Sequence, residues 1–422
     1  MTTTKLWNRD FSLLIFGQVI SLFGNMILSF ALPLYILYIS GSAALFGLVL
    51  GLTHIPLLIM SPIGGMIADR FRKQRIMFWL DASTTLLILA YIAASGFVTA
   101  VLPIVIVKLM ALNAIQGVYM PAVSASVPLL ATGEKLVSAN AVVNLVNSLS
   151  GMAGMAIAGL LFAEFGLFPI LAVSAVCFAI TAVMDLLIRI PFKPQPSSGG
   201  IIKTAKGDLL QSVKFMKEKS VIIKCAVVAF MLSFTLISLI LVGVPVLVTQ
   251  HLHMGMEFVG ISQSIMMSGG IVGGIAAGVL GSKLKIDNAY FPVMMSGIVL
   301  IPVGIAFTIG FPYFLVYVIL TAACAVAFAF VTIANIQVVS LIQTKTPTEL
   351  TGKVMSIVVM LPLMANALGQ LIYGIAFEYL AAVPYVLPLV TAGVVVVIAF
   401  YARSSFKIYS TSPDSCEYEV PV

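Results

Sequence analysis

Every lysine and arginine of this chain except Lys108 falls at or beyond the ends of twelve long apolar stretches, and only on alternate connections between them. The stretches run at about 11–39, 42–66, 76–96, 101–128, 137–163 and 167–190, then 221–250, 257–281, 289–311, 313–343, 353–378 and 382–402. Lys5 and Arg9 precede the first. Arg70, Arg72, Lys73 and Arg75 follow the second, Lys135 the fourth, Arg189 through Lys224 the sixth, Lys283 and Lys285 the eighth, Lys345 and Lys353 the tenth, and Arg403 and Lys407 the last. A hydrocarbon core roughly 30 Å thick needs roughly 20 apolar residues per helix, and each stretch is long enough. Positive loops are retained in the cytoplasm during insertion. The pattern predicts an all-α membrane protein of twelve transmembrane helices, multi-pass in the cell (plasma or inner) membrane, with both termini cytoplasmic.

Composition narrows the class further. The chain is 61% hydrophobic and 9% charged with mean hydropathy +1.15, whereas soluble domains carry about 25% charged residues. A net charge of +7 would suggest nucleic acid for a soluble protein. Here the cations are spread over separate cytoplasmic segments, so orientation and anionic lipid headgroups account for them and no nucleic-acid partner is expected. Cys177, Cys225 and Cys324 lie in spans and Cys416 in the tail, a spacing that offers neither a disulfide frame nor a zinc site. His251 and His253 beside Glu257 lack further ligands, so no metal is expected. No HExxH, GxSxG, Walker lysine loop, GxGxxG before a helix or catalytic carboxylate pair occurs. The chain reads as a non-enzyme without cofactor, its first helix retained rather than cleaved.

One internal segment departs from the apolar pattern. Pro191 to Gly200 is rich in Pro, Ser and Gly, and a lysine-rich stretch follows. Such a segment packs no core and reads as a linker. Within it, Asp208 to Lys217 is either an amphipathic helix on the membrane surface or a short solvated helix. The expected organisation is a six-helix half over 1–190, a cytoplasmic linker over 191–220, a second six-helix half over 221–403 and a cytoplasmic tail over 404–422. A shift of 213 residues sets Gly47 on Gly260, Gly65 on Gly278, Arg70 on Lys283 and Arg72 on Lys285. The halves therefore read as pseudo-repeats, an arrangement that alternating-access carriers use.

The connection after the second stretch reads Gly65-Met-Ile-Ala-Asp69-Arg70-Phe-Arg72-Lys73-Gln-Arg75. It resembles motif A of the major facilitator superfamily, GxxxDRxxRxR, with Arg72 where that family usually has Gly. Gly65 would let two helices approach closely, and Asp69 would accept hydrogen bonds at a helix end. The resemblance implies a gating latch on the inner face formed by Gly65, Asp69, Arg70, Arg72, Lys73 and Arg75. Leu6 to Phe11, Gly17-Gln18, Ser21 to Gly24, Gly117, Pro121-Ala122 and Gly352 to Ser356 are similar to the drug-efflux branch that includes macrolide exporters. That branch implies proton-coupled export of hydrophobic or amphipathic small molecules by a monomer. Ser150 to Gly159 stands where proton-coupled exporters carry a Gly-Pro motif, with Met155 in the proline's place. The glycine run then serves helix packing, or packing and antiport together.

Polar groups in lipid are costly and face the bundle interior or a wet cavity. Gln18, Ser21 and Asn25 share a helix face, as do Asn140, Asn144 and Asn147, and Asn366 and Gln370. The resemblance implies a cavity lined by spans 1, 4, 7 and 10. The candidate cavity residues are Gln18, Asn25, His54, Asn113, Gln116, Asn144, Asn335 and Asn366. Each could equally bond one helix to another. His54 is expected to bond a neighbouring helix. Asp81 is either an ion-pair partner of Arg70 or Arg75 or a proton-coupling carboxylate. Lys108 either snorkels to the interface or faces the cavity. Two rivals stay open beside drug export: a lipid or lysolipid flippase of the same fold, and a non-transporting receptor or assembly factor.

Overall fold

The computed structural model describes residues 7–94, 101–131, 135–191, 211–212, 214–281 and 288–410. Lys5, Asp208 with most of the linker, Lys283, Lys285 and Cys416 lie outside them. Twelve helices among the described residues are long and apolar enough to cross a membrane. They are α1 (Arg9–Ser40), α2 (Ala43–Arg70), α3 (Lys73–Ala94), α4 (Val101–Leu130), α5 (Lys135–Phe165) and α6 (Leu167–Leu187). After the linker come α7, α8 (Met256–Leu280) and α9, then α10 (Tyr313–Lys345), α11 (Thr348–Tyr379) and α12 (Val386–Ser410). Helix α7 runs through Ser220–Leu232 and Ser238–Val246, with π-helical turns at Ser233–Ile237 and Leu247–His251. Helix α9 comprises Tyr290–Ile298 and Ile301–Ile309. The helical architecture and the number of spans agree with the apolar pattern of the sequence. Lipid offers no partner for backbone N–H or C=O, so helices that satisfy their own backbone are what such stretches form. The outer surface is correspondingly apolar. Val279 is 82% and Tyr379 85% exposed, which suits hydrocarbon and interface rather than bulk water.

The ends are set locally. Asn8 caps α1 by accepting from the Phe11 N–H at 2.8 Å, and its Nδ2 donates to the Leu130 carbonyl at 3.3 Å, tying α1 to the end of α4. Gly41 closes α1 at φ 62°, and Ser42 opens α2 by accepting from the Leu45 N–H at 3.1 Å. Asn8→Ala is expected to cost about 1 kcal/mol of stability, read as a lower melting temperature of the detergent-purified protein. Phe71 is extended, at φ −118° and ψ 162°. The Phe71-Arg72 link between α2 and α3 uses no left-handed residue, so Arg72 in the usual glycine position does not loosen that turn.

Contacts divide the chain into two units. The first is Met1–Ser197 with Val248–Ser264, and the second is Ser198–Leu247 with Ile265–Val422. Within the first, α1 packs on α5 and α6, α2 on α4, and α3 on α6 and α4. Small residues make these crossings, as expected where close backbone approach replaces the hydrophobic effect. A Cβ on Gly64 would lie 2.6 Å from the Val118 Cα, and one on Gly117 would lie 2.9 Å from the Leu57 carbonyl oxygen. Gly65 meets nothing within 4 Å. The close approach expected of Gly65 therefore belongs to its neighbour, because consecutive residues point about 100° apart around a helix. In the run Ser150 to Gly159, Gly154 packs on Met26 of α1, and Gly159 packs on Gly260 of α8 within the same unit. These glycines have a packing role. In the second unit α9 crosses α12 at Gly297 and Gly304, α8 crosses α10 at Gly269 and Gly273, and α7 crosses α11 at Gly369.

Candidate functional site

The second unit carries a partly open cavity of about 280 Å³ among α7, α9, α10 and α11. Its walls are chiefly apolar, with Leu232, Val293, Phe328, Val331, Val338 and Pro362 among them, and Ser233, Thr332 and Asn335 supply the polar groups. Thr332 donates to the Phe328 carbonyl of its own helix at 2.9 Å. Asn335 is exposed, so its amide is free to turn toward a guest. The π-helical turn beside the cavity reorganises α7 locally, and such turns insert where a helix must re-aim side chains. Ser238 offers its hydroxyl hydrogen to the Ser233 carbonyl at 2.9 Å and to the Oδ1 and carbonyl oxygen of Asn366 at 3.0 and 3.2 Å. Asn366 is 9% exposed. It serves the α7–α11 contact.

The other cavity candidates are placed as follows. Gln18 is 2% exposed and donates to the Tyr119 Oη at 2.9 Å. Asn25 accepts from the Ser29 hydroxyl at 3.3 Å, and Asn113 donates to the Leu109 carbonyl of its own helix at 3.0 Å. Gln116 is half-buried, whereas Asn140 and Asn144 on α5 are exposed. His54 contacts the Leu50 carbonyl through Nδ1 at 2.8 Å. That partner lies one turn back on α2, not on a neighbouring helix as expected, because i−4 carbonyls lie within reach of a side chain that points toward its own helix start. Arg70, Arg72 and Arg75 are exposed and Lys73 half-buried at the α2–α3 connection.

Two buried charges correct the sequence-based expectation. Asp81 is 2% exposed, and its carboxyl hydrogen-bonds with the hydroxyls of Thr181 and Ser21 rather than pairing with Arg70 or Arg75. Helix α3 turns this residue inward, onto α6 and α1, away from the basic connection. Asp185 of α6, 3% exposed, interacts electrostatically with it. The sequence reading missed Asp185. Ser174, Thr181 and Asp185, spaced at seven and four residues, form a polar stripe on one face of α6 that could have revealed it.

Lys108 neither snorkels nor lines the cavity. It is 5% exposed, with Nζ 4.3 Å from the centroid of the Tyr91 ring and without a hydrogen-bond partner. A cation–π contact offsets only part of the desolvation of an ammonium. Lys108→Met is therefore expected to stabilise the protein by about 1 kcal/mol, seen as a raised melting temperature. Among the described residues no group of His, Cys, Asp and Glu could hold a metal ion.

Comparisons with known proteins agree with this architecture. Residues 14–370 match the Major Facilitator Superfamily. Macrolide efflux protein A of Streptococcus pyogenes is 25% identical over 386 residues, 87% of this chain and 89% of that protein. Among solved structures, the nucleoside transporter NupG superposes with a TM-score of 0.68 at 16% identity, covering 95% of this chain and all of that one. A bacterial homologue of the human lysosomal transporter Spinster gives a TM-score of 0.71 at 11% identity, covering 98% of this chain and all of that one.

Proposed function

The chain belongs to the Major Facilitator Superfamily, and on that premise we propose that it is a secondary carrier exporting hydrophobic or amphipathic small molecules of the macrolide type in exchange for protons. The observation that carries the substrate class is the cavity in the second unit, whose lining residues include no charged side chain. A guest there gains about 25 cal/mol per Å² of carbon surface withdrawn from water, while a few polar groups fix its orientation. Asn335 is the first contact among them. Asn25, His54, Asn113, Gln116 and Asn144 are further polar positions toward substrate, and Gln18 and Asn366 hold helices together. The likeness to a macrolide efflux protein supports the direction and the substrate type.

The orientation follows from charge. The basic connections support a reading in which both termini are cytoplasmic, and we take the carrier to be a cell-membrane monomer surrounded by lipid. The connection from Gly65 and Asp69 to Arg75 then lies on the inner face as the gating latch. A cavity without charge also suits a lipid chain, so a flippase of this fold is the second reading. Everted membrane vesicles separate the two. The carrier reading expects accumulation of a fluorescent dye or a labelled macrolide that stops when the pH gradient is collapsed. Movement of labelled lipid without dye movement would favour the flippase, and movement of neither would leave a protein that does not transport.

A further inference from the structure

Four helices of the first unit meet at a buried polar cluster. Gln18 and Ser21 come from α1, Asp81 from α3, Tyr119 from α4, and Thr181 and Asp185 from α6. None of the six side chains is more than 4% exposed. The Oδ2 atoms of Asp81 and Asp185 are both sealed from solvent with no hydrogen-bond partner. Thr181 also lies 3.0 Å from the Phe178 carbonyl, so its single hydroxyl hydrogen is shared between that carbonyl and the Asp81 carboxyl. Each carboxyl is thus left with one oxygen that no donor reaches, and a hydrogen bound there is what such a pair can take up.

Among the described residues no cation is paired with either carboxyl. Helix α6 contributes Thr181 and Asp185, with Arg189 beyond its end exposed, and α4 contributes Tyr119. Lys108 is eleven residues from Tyr119, roughly 16 Å of helix rise, and is held over Tyr91. Helix α1 offers only Gln18 and Ser21 here, since its Asp10 accepts from the Arg189 N–H at 3.0 Å. Arg70 and Arg75 are exposed. Keeping two neighbouring buried carboxylates both ionised is costly, and binding one proton between them relieves that cost.

We propose that Asp81 and Asp185 together bind one exchangeable proton and are the proton site of the carrier, with Ser21, Tyr119 and Thr181 positioning the carboxyls. This rests on the carrier reading above. Loading adds a proton from water to an Oδ2 lone pair of the doubly ionised pair, and release returns it to water; no other bond changes. A pair that shares a proton titrates as a unit.

The test is infrared difference spectroscopy of the full-length protein in detergent through a pH titration, with size-exclusion profiles to verify folding. The wild type is expected to lose a protonated-carboxyl carbonyl band as pH rises, and Asp81→Asn and Asp185→Asn each to lose that titrating band. Should an Asn variant not fold, Asp81→Glu decides: a displaced band or midpoint supports the assignment, and an unchanged one overturns it. The proposal is also overturned by absence of the band in wild type, by a band that persists across the titration, or by its survival in both Asn variants. A midpoint that moves when sodium replaces choline assigns a metal cation to the pair instead. The readout needs no transport. A titrating band in a protein that exports nothing would therefore refute the carrier and leave the proton site standing.

Discussion

Replacing Gly64 by valine is expected to remove most of the folded protein, whereas Gly65→Val one position along leaves it nearly intact. A Cβ on Gly64 would meet the Val118 Cα at 2.6 Å and the Gly117 carbonyl oxygen at 2.7 Å, both backbone atoms. Backbone cannot rotate out of the way as a side chain can, so α2 and α4 must separate. Overpacking a tight core costs about 1–3 kcal/mol, and a clash with backbone over an extended helix crossing belongs at or above the top of that range. Lipid adds to the effect, since helices in a bilayer are held by close packing rather than by a hydrophobic driving force between them. Gly65 has no atom within 4 Å of its added Cβ. Fluorescence-detected size exclusion of the two variants, with melting curves, checks the contrast. Equal loss in both, or in neither, would contradict the packing described here.

Val331→Trp is expected to lower export at least about tenfold, the equivalent of 1.4 kcal/mol, without lowering the melting temperature. Val331 lines the cavity and is only half-buried, so the indole grows into free volume rather than into packed neighbours. The substitution keeps the wall apolar and removes space from a cavity of about 280 Å³. A loss of export with intact folding ties transport to this volume. Unchanged export would place the substrate elsewhere. Asn335→Leu, which preserves size and removes the amide, then separates orientation from room.

The twelve spans were legible in the sequence because hydropathy is a one-dimensional signal: a run long enough to cross lipid forms a helix wherever its neighbours stand. What was not legible depended on rotation about each helix axis. Gly64 and Gly65 are adjacent, and the chain alone does not say which of them faces α4. Asp81 is six residues from Arg75 and eleven from Arg70, which suggested an ion pair, yet α3 presents it to α6 and α1. Asp185 lies close to the end of α6 and resembles an interfacial charge until its stripe with Ser174 and Thr181 is noticed. Lys108 found an aromatic face across a helix contact that no spacing rule specifies. Asn335 lines the cavity of the second unit, while Gln18 and Asn366 are held in helix contacts because burial leaves a polar group no alternative to a partner.

On the carrier reading, a substrate held in an uncharged cavity is moved uphill at the expense of a proton gradient. The most direct test of that reading uses the purified protein in liposomes with an imposed pH gradient and a labelled macrolide outside. Accumulation inside that needs an acidic lumen and disappears with a protonophore is the expected result. Uptake equal to that of protein-free liposomes, or uptake indifferent to the gradient, would contradict it.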